Sequence, residues 1–295
     1  MTISLVALLI CLGSGLGFAA FDAARKWATA ALSPEPLLIL ILAGHLPVFL
    51  LWLGIEGVVP PTAGYVLPGL LALGVGIASN LMFLKSIAEA PISETVPLLS
   101  LTPALAAVGA LVTLQEGLRL PQIAGIALVF LGVLVLYRGE GKSLFSAFGA
   151  LATRRGARLM AGVAVLWSIL PVLDKLCVQA SSIAVHAVIQ LSGIILALLI
   201  WREWKSQTGS EQPPLIPEGR GWLAIGIAGF SGALALGFQL WALTLAPVAL
   251  VETLKRVIGQ TAAVISGGLF FNEPWTAQKA LAISLMGFGV PLVLL

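Results

Sequence analysis

Charge is what this sequence has least of. Asp, Glu, Lys and Arg make up 10% of its 295 residues, against 59% hydrophobic residues and a mean hydropathy of +1.05. A soluble domain carries about 25% charged residues, because its skin must be solvated. So thin a share excludes an ordinary soluble enzyme, and the high hydrophobicity excludes disorder. The solvent left is lipid. Cysteine is scarce too: Cys11 and Cys177 both lie in apolar stretches, which excludes a disulfide framework or a cysteine metal site. The net charge of +3 is scattered over 16 basic and 13 acidic residues, which makes no nucleic-acid footprint. No HExxH, GxSxG or paired metal ligands occur, so no cofactor is expected. GEGKS at 139–143 ends like a phosphate loop, but Leu136 stands where its first glycine belongs.

What is present is apolar length. A bilayer core needs roughly 20 mostly apolar residues per helix. Such stretches occur at 3–21, 36–55, 64–86, 91–114 and 119–137, and again at 159–177, 183–201, 222–245, 247–271 and 276–295. The start, MTISLVALLICLG, lacks a basic n-region and reads as a first span rather than a signal peptide. Segments apolar all round are helices, since a membrane barrel would alternate every second residue. The expected fold class is an all-α integral membrane protein of ten transmembrane helices. Polar breaks fall at 138–158, a basic linker, and at 202–221, a proline-containing exposed one. Gly13 and Gly17 form a GxxxG, and Gly74 with Ala78 a similar small pair, both suited to close helix approach. Pro97 and Pro103 mark the fourth span as a bent helix that either lines a cavity or is simply kinked.

The halves resemble one another. APISETVPLLSLTPALAAVGALVTLQEGL (90–118) parallels APVALVETLKRVIGQTAAVISGGLFFNEPW (246–275). Each opens on Ala-Pro, runs through small residues, and closes on a glutamate, Glu116 or Glu273, with Gln122 or Gln278 following. GFAAFDAARK (17–26) and LWSILPVLDK (166–175) match more loosely, each closing on a lysine. Five spans is an odd number, so 1–137 and 159–295 would be inverted five-helix repeats flanking the linker. Inverted repeats point to alternating-access transport about a midplane site.

The segments 101–136 and 251–295 carry a further likeness: a proline-bearing span, small residues, a Glu turn, Gln, Gly and a closing Gly-Val-Leu run. In these the chain resembles the drug/metabolite transporter superfamily, of the type built from two EamA domains. That resemblance implies a carrier but not its cargo, because such proteins move amino acids, sugars, nucleotides and drugs. Relatives often carry an arginine midway along the second span, where this chain has His45. Trp167 resembles a tryptophan they place early in the sixth.

Topology is expected from basic residues. One side holds Arg25, Lys26, Lys85, Arg138, Lys142, Arg154, Arg155, Arg158, Arg202, Lys205, Arg220 and Lys279; the other only Arg119 and Lys175. The positive-inside rule then puts both termini outside the cell membrane, whereas the resemblance puts them in the cytoplasm.

Charges within spans are expensive and default to function. Glu252, Lys255 and Arg256 share one helix face in the ninth span. There the Lys-Arg pair either binds an anionic group or forms an internal ion pair that snorkels. The same dipeptide occurs at that span in relatives carrying phosphorylated or carboxylated metabolites. Glu94, in the first turn of the fourth span, either couples protons, as Glu252 would, or stabilises the helix dipole. Asn80, Gln239 and Trp167 form cavity walls or packing contacts. His45 and His186 are gating or packing residues; Asp22 with Lys26 and Asp174 with Lys175 read as interfacial pairs. The resulting expectation is a secondary-active transporter of a small polar or amphipathic metabolite, amino acid-like or anionic, working as exporter or exchanger. Its partners would be substrate, lipid and protons. The alternative is an intramembrane enzyme or a lipid-handling, flippase-like protein.

Overall fold

In the computed structural model, residues 4–137, 154–217, 221–270 and 276–294 are described. Ser4 opens helix α1 (Leu5–Ala28) by accepting the Ala7 amide at 3.1 Å, and Arg25 and Lys26 in its last turn suit the negative end of the helix dipole. Prolines start α2 (Pro34–Glu56), whose C-terminus is closed by Gly57 at φ 83°. A 3₁₀ turn, Ala63–Tyr65, leads into α3 (Val66–Glu89). Short α4 (Ile92–Thr95), a 3₁₀ segment (Val96–Ser100), α5 (Leu101–Leu114) and α6 (Leu120–Tyr137) complete the first half. The second holds α7 (Arg155–Gln179), α8 (Ile183–Gln207), α9 (Gly221–Leu245), α10 (Val248–Phe270) and α11 (Ala277–Leu294).

The described chain is thus all helical, and six helical segments are long and apolar enough to cross a membrane: Leu5–Ala28, Pro34–Glu56, Ala63–Glu89, Arg155–Gln179, Ile183–Gln207 and Gly221–Leu245. Their outward faces carry leucine and isoleucine, as at Leu16, Leu70, Ile169 and Ile200, the pattern of helices solvated by lipid.

Three expectations change. The stretch 91–114 is not one bent helix but α4, a 3₁₀ segment and α5; Pro97 lacks an N–H, so the α ladder cannot run through it. The stretch 202–221 is not all linker, because α8 continues to Gln207 and Arg202 donates to the Pro213 carbonyl at 2.7 Å. Finally, α1 runs to Ala28, which draws Asp22 and Arg25 inside, and α7 continues past Asp174 to Gln179. The linker residues 138–153, Glu273 and the Glu94 side chain lie outside the described residues.

Packing pairs the two halves across the molecule. Helix α1 lies on α9 and α10, α3 on α7, α2 on α8 and α9, α5 on α7 and α10, and α6 on α11. The GxxxG of α1 faces α9: a Cβ at Gly17 would stand 3.0 Å from the Ala235 backbone. Gly44 of α2 and Gly229 of α9 touch backbone to backbone, a Cβ on either lying 3.1 or 3.2 Å from the other's Cα. Gly74, by contrast, has nothing within 4 Å of its Cβ position and makes no such contact.

Candidate functional site: a central polar cavity

Between these helices lies a cavity of about 130 Å³, counted as space open to the centre of a water molecule. One buried water needs about 10–15 Å³ on that measure, so a small metabolite fits. Its walls come from α1, α2, α3, α7, α8, α9 and α10, and both halves contribute.

The ninth-span cluster forms one wall. Glu252 is fully buried and accepts from both Lys255 and, at 3.4 Å, Arg256. Lys255 Nζ also donates to Gln239 Oε1 at 2.6 Å and lies 5.1 Å from the Phe18 ring. Arg256 Nε donates to Thr102 Oγ1 at 2.9 Å, with its guanidinium 5.1 Å from Trp167. Lys255 and Arg256 line the cavity, and Glu252 stands behind them. The helical i, i+3 and i, i+4 spacings let one carboxylate serve both cations.

Trp167 links this wall to the next. Its Nε1 donates to Ser79 Oγ at 2.9 Å and its ring stacks on Phe83 at 5.1 Å. Asn80 sits one residue on from Ser79, with its Nδ2 donating to the Gly76 carbonyl at 2.9 Å. Asn80, Trp167, Gln239, Lys255 and Arg256 therefore share one cavity.

Arg25 is a cavity residue that the sequence pattern places in a loop. It is 2% exposed and lines the cavity. Asp22 pairs with it rather than with Lys26, which instead donates to the carbonyls of Ile87 and, at 3.0 Å, Ala90. Phe21 and Phe83 flank the Arg25 guanidinium at 4.0 and 3.8 Å from their ring centroids, a stacked arrangement that suits arginine better than lysine. The signal that could have found it is the Asp-x-x-Arg spacing itself.

Asp174 also departs from expectation. It does not pair with Lys175, which reaches Glu116 Oε1 at 2.5 Å and the Ala246 carbonyl at 3.0 Å. It meets His186 Nε2 at 3.2 Å instead, and Tyr65 Oη meets His186 Nδ1 at 3.0 Å. Asp174, His186 and Gln190 line the cavity. His45, also lining it, is 2% exposed, sits edge-on to Phe21 at 5.5 Å, and has no hydrogen-bond partner among the described residues at either ring nitrogen. Gly232 makes its room: a Cβ there would fall 2.1 Å from His45 Nε2.

Apolar helices of membrane-spanning length around a charged cavity are the architecture of a polytopic membrane protein. By comparison, residues 5–138 match the EamA-like transporter family, so that segment is similar to its members. The members of that family are membrane transporters. No curated protein matches the chain in sequence. One solved structure, titled only as a crystal structure of a protein, covers 97% of this chain and 96% of its own at a TM-score of 0.71 and 19% identity. That likeness speaks to the fold alone.

Proposed function

We propose that the chain is a secondary-active, alternating-access transporter of a small polar or amphipathic metabolite with an anionic group, working as an exporter or exchanger in the cell membrane. Its ten spans form two inverted five-helix repeats, 1–137 and 159–295, joined by 138–158. The observation that carries this reading is the convergence of Arg25, Lys255 and Arg256, each 8% exposed or less, on one cavity between the halves. A buried cation is kept only where it is paired or used. Two carboxylates, Asp22 and Glu252, pair directly with the three cations, which leaves a local positive excess on this part of the wall that Asp174 balances only across the cavity as a whole. A substrate carboxylate or phosphate would meet that excess, held in a fork by the arginines and as a point charge by the lysine. Trp167, Asn80 and Gln239 would wall its less polar part. Glu252, which accepts from two cations, would hold them in place.

The packing supports the repeat. Exchanging the halves turns the α1–α9 contact into α7–α3, α1–α10 into α7–α5, and α2–α9 into α8–α3, all of which occur. The contacts α2–α8, α5–α10 and α6–α11 map onto themselves, as elements on a pseudo-two-fold axis must.

Counterflow in proteoliposomes tests the reading, with labelled amino acids, small carboxylates and sugar phosphates. At least one compound should exchange, and Lys255→Ala and Arg256→Ala should each abolish that exchange while the protein still expresses and stays monodisperse. Exchange at wild-type rates in either variant refutes the anion site. Exchange of none of the compounds refutes the carrier.

A further inference from the structure

A second polar group in the cavity has no part in holding an anion. Asp174 of α7, His186 and Gln190 of α8, and Tyr65 just ahead of α3 form one chain of contacts. His186 is 2% exposed and Asp174 5%. The hydrogen positions follow from the donors available. Gln190 Nε2 donates to Tyr65 Oη at 3.3 Å and to the Gly69 carbonyl at 3.0 Å. The Tyr65 hydroxyl proton is then free to point at His186 Nδ1, 3.0 Å away. An imidazole that accepts at Nδ1 carries its proton at Nε2, which donates to Asp174 Oδ1 at 3.2 Å. The Tyr65 ring packs directly on Gly69, where a Cβ would fall 2.5 Å from it, so the glycine leaves the ring room to reach His186.

This arrangement leaves a carboxylate bonded to a neutral ring. Lys175, its neighbour in sequence, is turned away to Glu116. Glu56 at the end of α2 faces the Ala184 amide at 3.4 Å, and Cys177 lies one turn along α7. The positive groups, Arg25 on α1 and Lys255 and Arg256 on α10, lie on other parts of the cavity wall, as does His45 of α2. The whole set balances: Arg25, Lys255 and Arg256 against Asp22, Glu252 and Asp174 leaves no net charge with His186 neutral. An anion entering alone would bury one uncompensated negative charge. A proton entering alone would bury one positive charge. The two together restore neutrality, and uncompensated buried charge is the costly alternative.

We infer that Asp174 and His186 form the coupling-proton site of this carrier, and that one proton is carried with each monoanionic substrate. The inference rests on the transporter reading above. The proton adds to His186 Nδ1, or to Asp174 itself, and makes either an Asp174–imidazolium ion pair or a neutral acid–imidazole pair; no other bond changes. When Nδ1 is the atom protonated, the Tyr65 hydroxyl must turn its own proton away and accept instead. Loading therefore reorganises the contact that ties the start of α3 to α8, where the two adjoining turns are already joined by Thr62 N to the Ala180 carbonyl at 2.9 Å.

The chain has two histidines, so histidine-specific ¹⁵N labelling of the full-length protein in lipid nanodiscs gives two imidazoles to follow, and His45→Asn assigns them. Between about pH 5 and pH 8, the range in which imidazoles act as switches, His186 should begin as the Nε2-protonated tautomer and gain a proton as pH falls. Acetate, and separately inorganic phosphate, serve as anion probes. Either should raise proton affinity about tenfold, within the usual range of coupling between linked ligands. That shift should vanish in the Lys255→Ala, Arg256→Ala double variant. Asp174→Asn should lower proton affinity at least tenfold. A His186 that stays neutral throughout, or a titration unmoved by Asp174→Asn, overturns the proton site; the wild-type titration decides this by itself if that variant does not fold. Titration unmoved by both anions overturns the one-to-one coupling. Counterflow with a silent His186 refutes this inference and leaves the carrier standing. A titrating His186 in a protein that exchanges nothing refutes the carrier and leaves the proton site.

Discussion

Replacing Glu252 by glutamine is the sharpest single test of the cavity's electrostatics. Glu252 is fully buried, and its two oxygens face Lys255 and Arg256. Glutamine keeps the shape and one acceptor oxygen but strands two buried cations. Breaking a buried ion pair by removing one partner costs about 3–5 kcal/mol. The loss here belongs near the lower end, because Lys255 keeps Gln239 at 2.6 Å and Arg256 keeps Thr102 at 2.9 Å. A destabilisation of about 3 kcal/mol is therefore expected, read by equilibrium unfolding in mixed micelles. A second readout has the opposite sign. The cavity gains one net positive charge, so acetate or phosphate should stabilise Glu252→Gln more than it stabilises the wild type. A variant as stable as wild type would show that Glu252 does not hold the cations. A variant that is destabilised but gains nothing from anions would show that Lys255 and Arg256 do not face the solute.

Three further outcomes follow from single contacts. Gly232→Ala forces His45 aside and should destabilise by about 1–3 kcal/mol, the usual range for overpacking; adding His45→Ala should recover part of that loss, and strict additivity would refute the contact. Trp167→Phe keeps the ring beside Arg256 but loses the 2.9 Å bond to Ser79, at a cost of about 1 kcal/mol in the same unfolding assay. Lys175→Met removes the tie among Glu116, Ala246 and the end of α7, and hydrogen exchange should quicken at the Val248 amide, which Glu116 Oε2 accepts at 2.8 Å; unchanged protection there would mean the tie holds nothing.

Much of this molecule is legible in its sequence because lipid imposes coarse rules. Apolar length gives the helices, and charge inside that length marks Lys255 and Arg256, whose spacing from Glu252 already implies the ion pairs. Asn80, Trp167 and Gln239 stand out as polar or aromatic interruptions of apolar faces. Arg25 and Asp174 escape for a physical reason. The span read at 3–21 ends before Arg25, and Asp174 falls near the end of the one read at 159–177, whereas α1 and α7 span 24 and 25 residues, so groups that look interfacial lie inside. The surroundings of His45 and His186 are not legible, because burial and partners are tertiary facts: Asp174 and His186 belong to different helices and meet across the turn at 180–182. The break at 96–100 is half legible, since Pro97 predicts a disturbance without saying that the helix stops.

The two lysines at the ends of α1 and α7 carry the repeat argument further than the sequence likeness does. Lys26 donates to the Ala90 carbonyl at 3.0 Å, and Lys175 to the Ala246 carbonyl at 3.0 Å. Ala90-Pro91 and Ala246-Pro247 are the two dipeptides that open the matched segments of the halves. In each half, then, the lysine closing the first helix caps the carbonyl at the end of the third. That need is physical: a proline beyond a helix end gives its last turn no continuing N–H donors, and a lysine ammonium is a natural substitute at the negative end of the dipole. In the inverted arrangement proposed above, α1 and α7 would run in opposite directions and the two caps would sit at opposite faces of the bundle. Lys175 also holds Glu116 of the other half. That contact joins the two halves directly, since Glu116 Oε2 also accepts the Val248 amide at 2.8 Å.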